Sequence, residues 1–193
     1  MDICYYGHSC FTLSSGGYTL AIDPYDDHVD GYPPLRIAAN SVYCSHQHFD
    51  HCYVQAVDIT EKGGDPFTVE EYEVPHDDAG GSRRGMNLIR VFRAEGKKII
   101  HFGDTGCMPS DDILNALGNA DIAMIPVGGF FTIDASMAKE ILDVIKPSAA
   151  VPMHYRQGDV GLRQIAELKD FLDITKEADY RVVSLGYKET LSI

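Results

Sequence analysis

The sequence contains no tryptophan and no apolar run that approaches the roughly 20 residues needed to span a bilayer. Its first residues, MDICYYGHSC, lack the basic and apolar segments of a secretory signal. We therefore expect no membrane partner and a cytoplasmic location. No low-complexity tract, internal repeat or linker interrupts the chain, so we predict one domain over residues 1–193.

The sequence lacks closely spaced cysteine pairs, which limits the kinds of site that cysteine can form. The five cysteines include no CxxC pair, which argues against a cysteine zinc site. An odd number of cysteines without a secretion signal predicts reduced thiols rather than disulfides. We interpret Cys52, which directly follows His51, as a packing residue buried in a helix.

Basic residues are also few, since 16 Lys and Arg stand against 29 Asp and Glu and give a net charge of −13. Such a surface repels phosphate backbones and anionic lipid. We therefore expect no nucleic-acid partner, and the composition leaves association into a homo-oligomer open.

The first half of the chain has the pattern of short strands. Residues 4–6, 10–13 and 18–22 are rich in aromatic and β-branched residues and are separated by glycine-containing turns. Residues 25–40 contain Pro33 and Pro34 and predict a loop. Further strands are predicted at 41–44, 66–75, 87–93 and 98–102.

The second half alternates helices and strands. A helix is predicted from Ser110 to Gly118, and another begins at Asp134 and ends before Pro147. The segment around Leu162 to Leu172 has apolar residues at helical spacing. Strands are predicted at 122–127, 149–153 and 181–193. Strands early and βα units late indicate an α/β fold in which helices cover sheets.

The segment Ser-His-Gln-His-Phe-Asp-His at residues 45–51 holds three imidazoles and one carboxylate. Because residues two apart face the same side of an extended strand, His46 and His48 can bind one ion. A following turn would bring Asp50 and His51 to a second position. Imidazole and carboxylate are the ligands preferred by zinc and its neighbours. This spacing therefore predicts a metal site rather than a solvated histidine-rich turn.

The motif His-x-His-x-Asp-His at a strand end resembles the metallo-β-lactamase superfamily. GHSCF at 7–11 and IDP at 22–24 are similar to its UlaG-like branch, which includes an L-ascorbate-6-phosphate lactonase. Later segments match in the same order, namely His76 after a strand, FGDTG at 102–106, IPVGGF at 125–130 and VPMHY at 151–155.

The resemblance implies an αββα four-layer sandwich with two divalent metal ions. Zinc is the expected metal, and manganese or iron would accept the same ligands. Each implied ligand position carries the residue type of the family: His46, His48 and His76 for the first ion, Asp50, His51 and His154 for the second, and Asp104 bridging both.

The same resemblance implies hydrolysis of a small-molecule substrate. A hydroxide between the two ions would attack an ester, lactone, amide or phosphodiester, with Asp50 and Asp104 as catalytic residues. The UlaG-like branch narrows the expectation to a lactone or a small phosphorylated molecule. Three alternatives stay open, namely an iron-dependent oxidoreductase that resembles persulfide dioxygenases, a nuclease, which the charge disfavours, and a metal-binding module without catalysis.

Candidates for substrate contacts follow from neighbouring residues. Arg83 and Arg84 lie in a glycine-rich loop after His76, where a guanidinium could hold a carboxylate or phosphate. The alternative is an ordinary loop ion pair with Asp77 or Asp78, an arrangement that is common on exposed surfaces. The sequence leaves both readings open.

Three further residues have two interpretations each. His8 is either a group near the site, in contact with substrate, or a structural histidine. Tyr155 either lines the pocket or belongs to the core. Asp23 either hydrogen-bonds a ligand imidazole or ends a strand in a turn.

Overall fold

The first sheet of the computed structural model, which describes residues 1–60 and 63–193, consists mainly of consecutive antiparallel strands. The strands predicted near the N-terminus are confirmed, and they leave the sequence GHSCF at the turn between the first two strands. The strand order is β13-β1-β2-β3-β5, with β5 parallel to β3. The members are β1 (Asp2–Gly7), β2 (Cys10–Ser15), β3 (Tyr18–Ile22), β5 (Ser41–Tyr43) and β13 (Thr190–Ser192).

The second sheet has the order β12-β11-β10-β9-β8-β7 and is mixed. The strands β7, β8 and β9 pair antiparallel, whereas β9 to β12 pair parallel. Every residue of β10 and β11 is buried, as their continuous apolar sequences predict. The members are β7 (Thr68–Pro75), β8 (Met86–Ala94), β9 (Lys97–His101), β10 (Ile122–Pro126), β11 (Ala149–Met153) and β12 (Arg181–Val182).

Three α-helices lie in the second half of the described residues, and α2 contacts β10, α1 and α3. The side chains of Ser110 and Asp134 accept hydrogen bonds from backbone N–H groups at the starts of α1 and α2, so both predicted helix starts are confirmed. The helices are α1 (Asp111–Leu117), α2 (Ala135–Ile145) and α3 (Leu168–Ile174).

The outer face of the first sheet, which points away from the second sheet, is covered by a small separate sheet. The strands β4 (Ile37–Ala39) and β6 (Val57–Ile59) form a small parallel sheet, preceded by the 3₁₀ helix Val54–Ala56. Tyr25, Leu35 and their neighbours pack with this small sheet in a separate buried cluster. The prediction of a loop over residues 25–40 is therefore wrong for its last part, because Ile37–Ala39 finds a hydrogen-bonding partner that lies far along the chain.

The main core lies between the two large sheets. It joins residues of the first sheet, such as Ile3 and Leu13, to residues of the second, such as Ile89 and Ile99. This arrangement confirms the α/β sandwich. None of the helices among the described residues is long and apolar enough to cross a membrane.

Two predicted elements differ from the structure. The helix expected from Leu162 begins only at Leu168, because the backbone N–H groups of Ala166 and Leu168 bond to Gly128 and Arg156 instead of to a preceding helical turn. The strand expected over 181–193 is divided between β12 and β13, since the chain leaves the second sheet and returns to the first.

Candidate metal centre

The seven predicted metal ligands converge, because each follows the end of a strand. Residues 46–51 come after β5, and the remaining three ligands come after β7, β9 and β11. All of them except His48 are buried. The residues brought together in this way are His46, His48, Asp50, His51, His76, Asp104 and His154.

His46, His48 and His76 form the first group, in which one nitrogen of each ring lies within 4.8 Å of the others. The closest pair is His46 Nε2 and His48 Nδ1, at 2.9 Å. Neighbouring ligands of a tetrahedral zinc ion with bonds of roughly 2.0 Å lie about 3.3 Å apart. The nitrogens are therefore close to the spacing that one ion requires.

Asp50, His51 and His154 form the second group, and His8 joins it. Asp50 Oδ2 lies 3.6 Å from His51 Nε2 and 3.2 Å from His8 Nε2. His8 is fully buried, and its ring centroid lies 4.2 Å from that of His154. The structure thus places His8 beside the proposed ligands rather than in the apolar core.

Asp104 lies between the two groups. Its Oδ1 is 3.2 Å from His51 Nε2, and its Oδ2 is 3.4 Å from His76 Nε2 and 3.2 Å from His154 Nε2. One carboxylate therefore contacts imidazoles from both groups, which is the placement needed to bridge two ions.

Several of these polar atoms are buried without a hydrogen-bond partner. Among the described residues, His51 Nε2, His154 Nε2 and Asp104 Oδ1 have none. Leaving such atoms unpaired is costly. Their convergence with a His and Asp donor set fits divalent metal ions as the missing partners.

Asp23 anchors the ligand segment from behind. Its Oδ1 accepts the backbone N–H of Ser45 at 2.6 Å, and its Oδ2 accepts the Ser45 hydroxyl at 2.6 Å. The same Oδ2 lies 2.7 Å from His51 Nδ1, which directs the opposite ring nitrogen towards Asp104. Asp23 thus contacts a ligand imidazole, which was one of the two roles that the sequence left open.

Asn87 supports Asp104 and was not singled out from the sequence. Its Oδ1 accepts the Asp104 backbone N–H at 2.8 Å, and its Nδ2 donates to the Phe102 carbonyl at 2.8 Å. Gly103 makes room for this contact, because a Cβ there would lie 2.2 Å from Asn87 Oδ1, and its φ is +53°. An asparagine in a strand rich in apolar residues was the available signal.

A disulfide joins Cys44 to Cys52, so the prediction that all cysteines are reduced thiols is wrong. The turn closed by His51 and Cys52 N–H groups on the His48 carbonyl brings the two Cα atoms to 5.2 Å, a distance that permits a bond. Cys52 is half-buried and lies outside any α-helix, which also corrects its interpretation as helix packing.

Backbone strain is concentrated at the same place. His8, Asp23 and His154 have φ values of +53°, +47° and +51°. Non-glycine residues rarely adopt this left-handed conformation, and such residues cluster at functional sites. The His154 backbone N–H donates to the His8 carbonyl, so two of the strained residues hold each other.

Burial lowers the pKa of three imidazoles at the site, those of His8, His46 and His76, and so favours their neutral form. Burial lowers the pKa of His46 to about 3 and that of His8 to about 4. Burial would also lower the pKa of His51, but the carboxylates of Asp104, Asp50 and Asp23 outweigh it and raise that pKa. A neutral imidazole is the form that binds metal.

A cavity of about 360 Å³ opens next to the two groups. Arg84 lines it, with its guanidinium carbon 5.4 Å from the centre of the Phe131 ring. Arg83 is exposed and pairs with Asp78 at 2.8 Å. Tyr155 is buried and lines a different cavity together with Tyr5 and Tyr32. Of the predicted substrate contacts, the structure brings Arg84 and His8 to the centre and does not bring Arg83 or Tyr155.

Asp77 shapes the loop that carries Arg84. Its carboxylate accepts four backbone N–H groups, two on Oδ1 and two on Oδ2, at 2.8–2.9 Å. The ion pair with Asp77 or Asp78 that the sequence left open is confirmed for Arg83 and Asp78, whereas Asp77 bonds to the backbone. The donors are Ala79, Gly81, Arg83 and Arg84.

Comparison with known proteins places this geometry in a family. A family model described as a beta-lactamase superfamily domain matches residues 2–154. A UPF0173 metal-dependent hydrolase of Thermoplasma acidophilum is 29% identical over 192 residues, covering 83% of this chain and 85% of that protein. A UPF0173 protein of Pyrococcus abyssi is 31% identical over 181 residues, covering 80% and 83%.

A solved structure agrees with these relatives. It is a candidate Zn-dependent hydrolase of the metallo-beta-lactamase superfamily from Thermotoga maritima, which is 27% identical, with a TM-score of 0.74 over 95% of this chain and 97% of that one. Sequence, fold and the converging His and Asp side chains lead to one conclusion: the chain belongs to the beta-lactamase superfamily domain family.

Proposed function

We propose that this protein is a metal-dependent hydrolase that cleaves an ester, lactone or phosphodiester bond of a small molecule with the help of two divalent ions. Relatives described as metal-dependent hydrolases support the general class. The proposal of two ions rests on Asp104, because its two carboxylate oxygens contact imidazoles of both groups. The lactone and phosphorylated substrates of the UlaG-like branch remain the narrower expectation.

Seven side chains would hold the ions. Zinc fits this donor set, and manganese or iron would also accept it. When bound, two such ions lower the pKa of a water between them and polarise the bond to be cleaved. The residues are His46, His48 and His76 for one ion, Asp50, His51 and His154 for the other, and Asp104 for both.

Asp50 is suited to orient the attacking water. Opposite charge on His51 and the hydrogen bond from His8 outweigh burial and hold the pKa of Asp50 below its usual range. The carboxylate therefore accepts a hydrogen bond at neutral pH. His8 Nε2 lies 3.2 Å from Asp50 Oδ2 and fixes its direction, so His8 is a positioning residue.

The cavity sets the size of the substrate. Its volume of about 360 Å³ lies at the lower end for small-molecule sites. Asp50, His76 and Asp104 all face it, so a molecule held there lies against both groups of proposed ligands. A small ester, lactone or phosphodiester fits this volume.

A substrate panel combined with metal analysis tests the proposal. We expect protein purified without added metal to contain divalent metal and to hydrolyse at least one of a set of esters, lactones and phosphodiesters. Asp50→Asn should lower kcat by roughly 100-fold or more, since it removes the group that orients the nucleophile. Unchanged hydrolysis in this variant would contradict the mechanism.

The same experiment separates the alternatives. Metal-loaded protein that hydrolyses no member of the panel would favour a metal-binding module without catalysis. Oxygen uptake by an iron-loaded sample would favour the iron-dependent oxidoreductase.

A further inference from the structure

On the basis of the proposed function, we propose that Arg84 selects substrates that carry an anionic group, a carboxylate or a phosphate, joined to the cleaved bond through an apolar segment. Arg84 lies in the wall of the cavity beside the metal centre. It is a specificity-determining residue that the hydrolytic chemistry itself does not require.

Arg84 forms no ion pair with a carboxylate in the part of the chain that the structure describes. Among the described residues, no carboxylate lies within ion-pairing distance of its guanidinium, although the chain contains 29 Asp and Glu. Its neighbour Arg83 pairs with Asp78 at 2.8 Å and lies outside the cavity lining. In so acidic a chain, a half-buried arginine without a carboxylate partner is available to an external anion.

The guanidinium is held in place by an aromatic ring. Arg84 lies over Phe131, with 5.4 Å between the guanidinium carbon and the ring centre. Phe131 is itself fixed, because its N–H donates to the Gly129 carbonyl at 2.7 Å and its ring meets Phe130 edge-on at 4.7 Å. Phe130 has the left-handed φ of +61°, a conformation that non-glycine residues rarely adopt.

The backbone of Arg84 is ordered before any ligand binds. Asp77 Oδ2 accepts the Arg84 N–H at 2.8 Å, and the residue directly before Asp77 is the proposed ligand His76. One carboxylate thus ties the backbone of Arg84 to the residue that adjoins a proposed metal ligand. A pre-ordered arginine loses less conformational entropy when it binds an anion.

The rest of the cavity mouth is largely apolar. Phe49 and Leu162 line it with Phe131, and Gln164 adds one uncharged polar group. Arg84 is the one cationic side chain among the lining residues that the structure describes. A ligand complementary to this lining has an apolar body, an anionic group that contacts Arg84 and a reactive group at the metal centre.

Binding measurements on the metal-loaded protein test this inference. The probes are 4-phenylbutyrate, 3-phenylpropyl phosphate and the neutral 4-phenylbutanol, each titrated calorimetrically into wild type, Arg84→Gln and the matched control Arg83→Gln. We expect Arg84→Gln to weaken binding of at least one anion roughly tenfold or more, with less than about twofold change for the alcohol. Arg83→Gln should bind all three probes as wild type does.

The two anionic probes distinguish the source of the charge. Whichever anion loses more affinity in Arg84→Gln identifies the preferred group as carboxylate or phosphate. Equal binding of both anions by wild type and Arg84→Gln would overturn the inference, as would an equal loss in Arg83→Gln or no detectable binding of either anion by wild type. Metal content and thermal unfolding, measured on each variant, ensure that folded and equally loaded proteins are compared.

Failure of the proposed hydrolase function can be distinguished from failure of the anion-site inference by comparing hydrolysis with anion affinity. If wild type hydrolyses nothing yet Arg84→Gln loses affinity for the anion, the hydrolase proposal fails and the anion site stands. If hydrolysis is present and the anion affinity is unchanged, only the role of Arg84 fails.

Discussion

The two loops that carry the metal site are built in opposite ways. The segment 45–51 contributes four proposed ligands and is closed by the Cys44–Cys52 disulfide and by the buried carboxylate of Asp23. The loop 76–85 contributes one proposed ligand, His76, at its start. Beyond that ligand it is ordered by Asp77 through four backbone hydrogen bonds.

This difference separates two tasks. Metal coordination needs several donors within tenths of an ångström, and covalent and buried links supply that precision. Substrate recognition depends on a surface loop that can vary without moving the metal ligands. We therefore expect changes to the first loop to affect metal binding and stability, and changes to the second to affect substrate affinity.

The largest effect should come from Asp23→Ala. It leaves the Ser45 N–H and His51 Nδ1 buried without an acceptor. We expect a loss of about 3–5 kcal/mol in the free energy of unfolding and a metal affinity reduced roughly 10- to 100-fold. Chemical denaturation and chelator competition measure the two quantities.

A matched control for this change is Asp26→Ala in the same stretch of chain. Within the described residues, the side chain of Asp26 bonds only to the backbone and ring of the exposed His28. The free energy of unfolding should change by no more than about 0.5 kcal/mol. Equal effects of the two substitutions would show that Asp23 has no special role behind the metal centre.

The disulfide should make the next largest contribution. Cys52→Ser removes the disulfide, which joins two residues eight positions apart. Closing so short a loop contributes roughly 2–3 kcal/mol to the free energy of unfolding. Denaturation of wild type with and without reductant should show the same loss, whereas Cys52→Ser should be insensitive to reductant. Cys107→Ser is the control, because Cys107 is a free cysteine. A wild-type protein indifferent to reductant would contradict this account of the first loop.

The second loop is tested by Asp77→Asn. The amide retains one acceptor oxygen in place of the two that hold four N–H groups. We expect roughly tenfold weaker binding of 4-phenylbutyrate or a KM raised by a similar factor, with unchanged metal content. Asp78→Asn, which alters only an exposed ion pair with Arg83, should have little effect. Loss of metal in Asp77→Asn would remove the distinction between the loops.

The smallest expected effect is a loss of order in the loop 76–85 at acid pH. Burial opposes ionisation of Asp77, but the four backbone N–H groups outweigh it and hold the pKa of its carboxyl at about 2. Because that pKa lies below the unfolded value of about 3.9, the stabilisation is complete above about pH 4 and is lost as the pH falls towards 2. Hydrogen-exchange protection of amides 79–84 should fall over this range in wild type. It should be low throughout in Asp77→Asn, and full protection at pH 2 would refute the assignment.

The sequence was sufficient for the parts of the fold that depend on local pattern. The strands near the N-terminus, the helix starts at Ser110 and Asp134, and the buried strand Ile122–Pro126 all follow from residue type and spacing. The cluster at 46–51 identified the metal centre because packing gives no reason for three histidines at that spacing.

Features that depend on long-range contacts could not be read in this way. The Cys44–Cys52 bond requires a turn whose Cα–Cα distance the spacing alone does not reveal. Arg83 pairs with Asp78 at the surface and Arg84 lines the cavity. This difference depends on the path of the loop backbone, which Asp77 holds through hydrogen bonds. His8 approaches Asp50 because the turn between β1 and β2 lies against the segment 45–51.

The most direct test of the central claim is the metal content of wild type and Asp104→Ala, measured by elemental analysis after identical purification. We expect two divalent ions per chain in wild type and fewer in Asp104→Ala, together with loss of hydrolysis, since this carboxylate contacts both groups of imidazoles. Equal metal content in the two proteins would contradict the assignment of Asp104 as the residue that joins them into one centre.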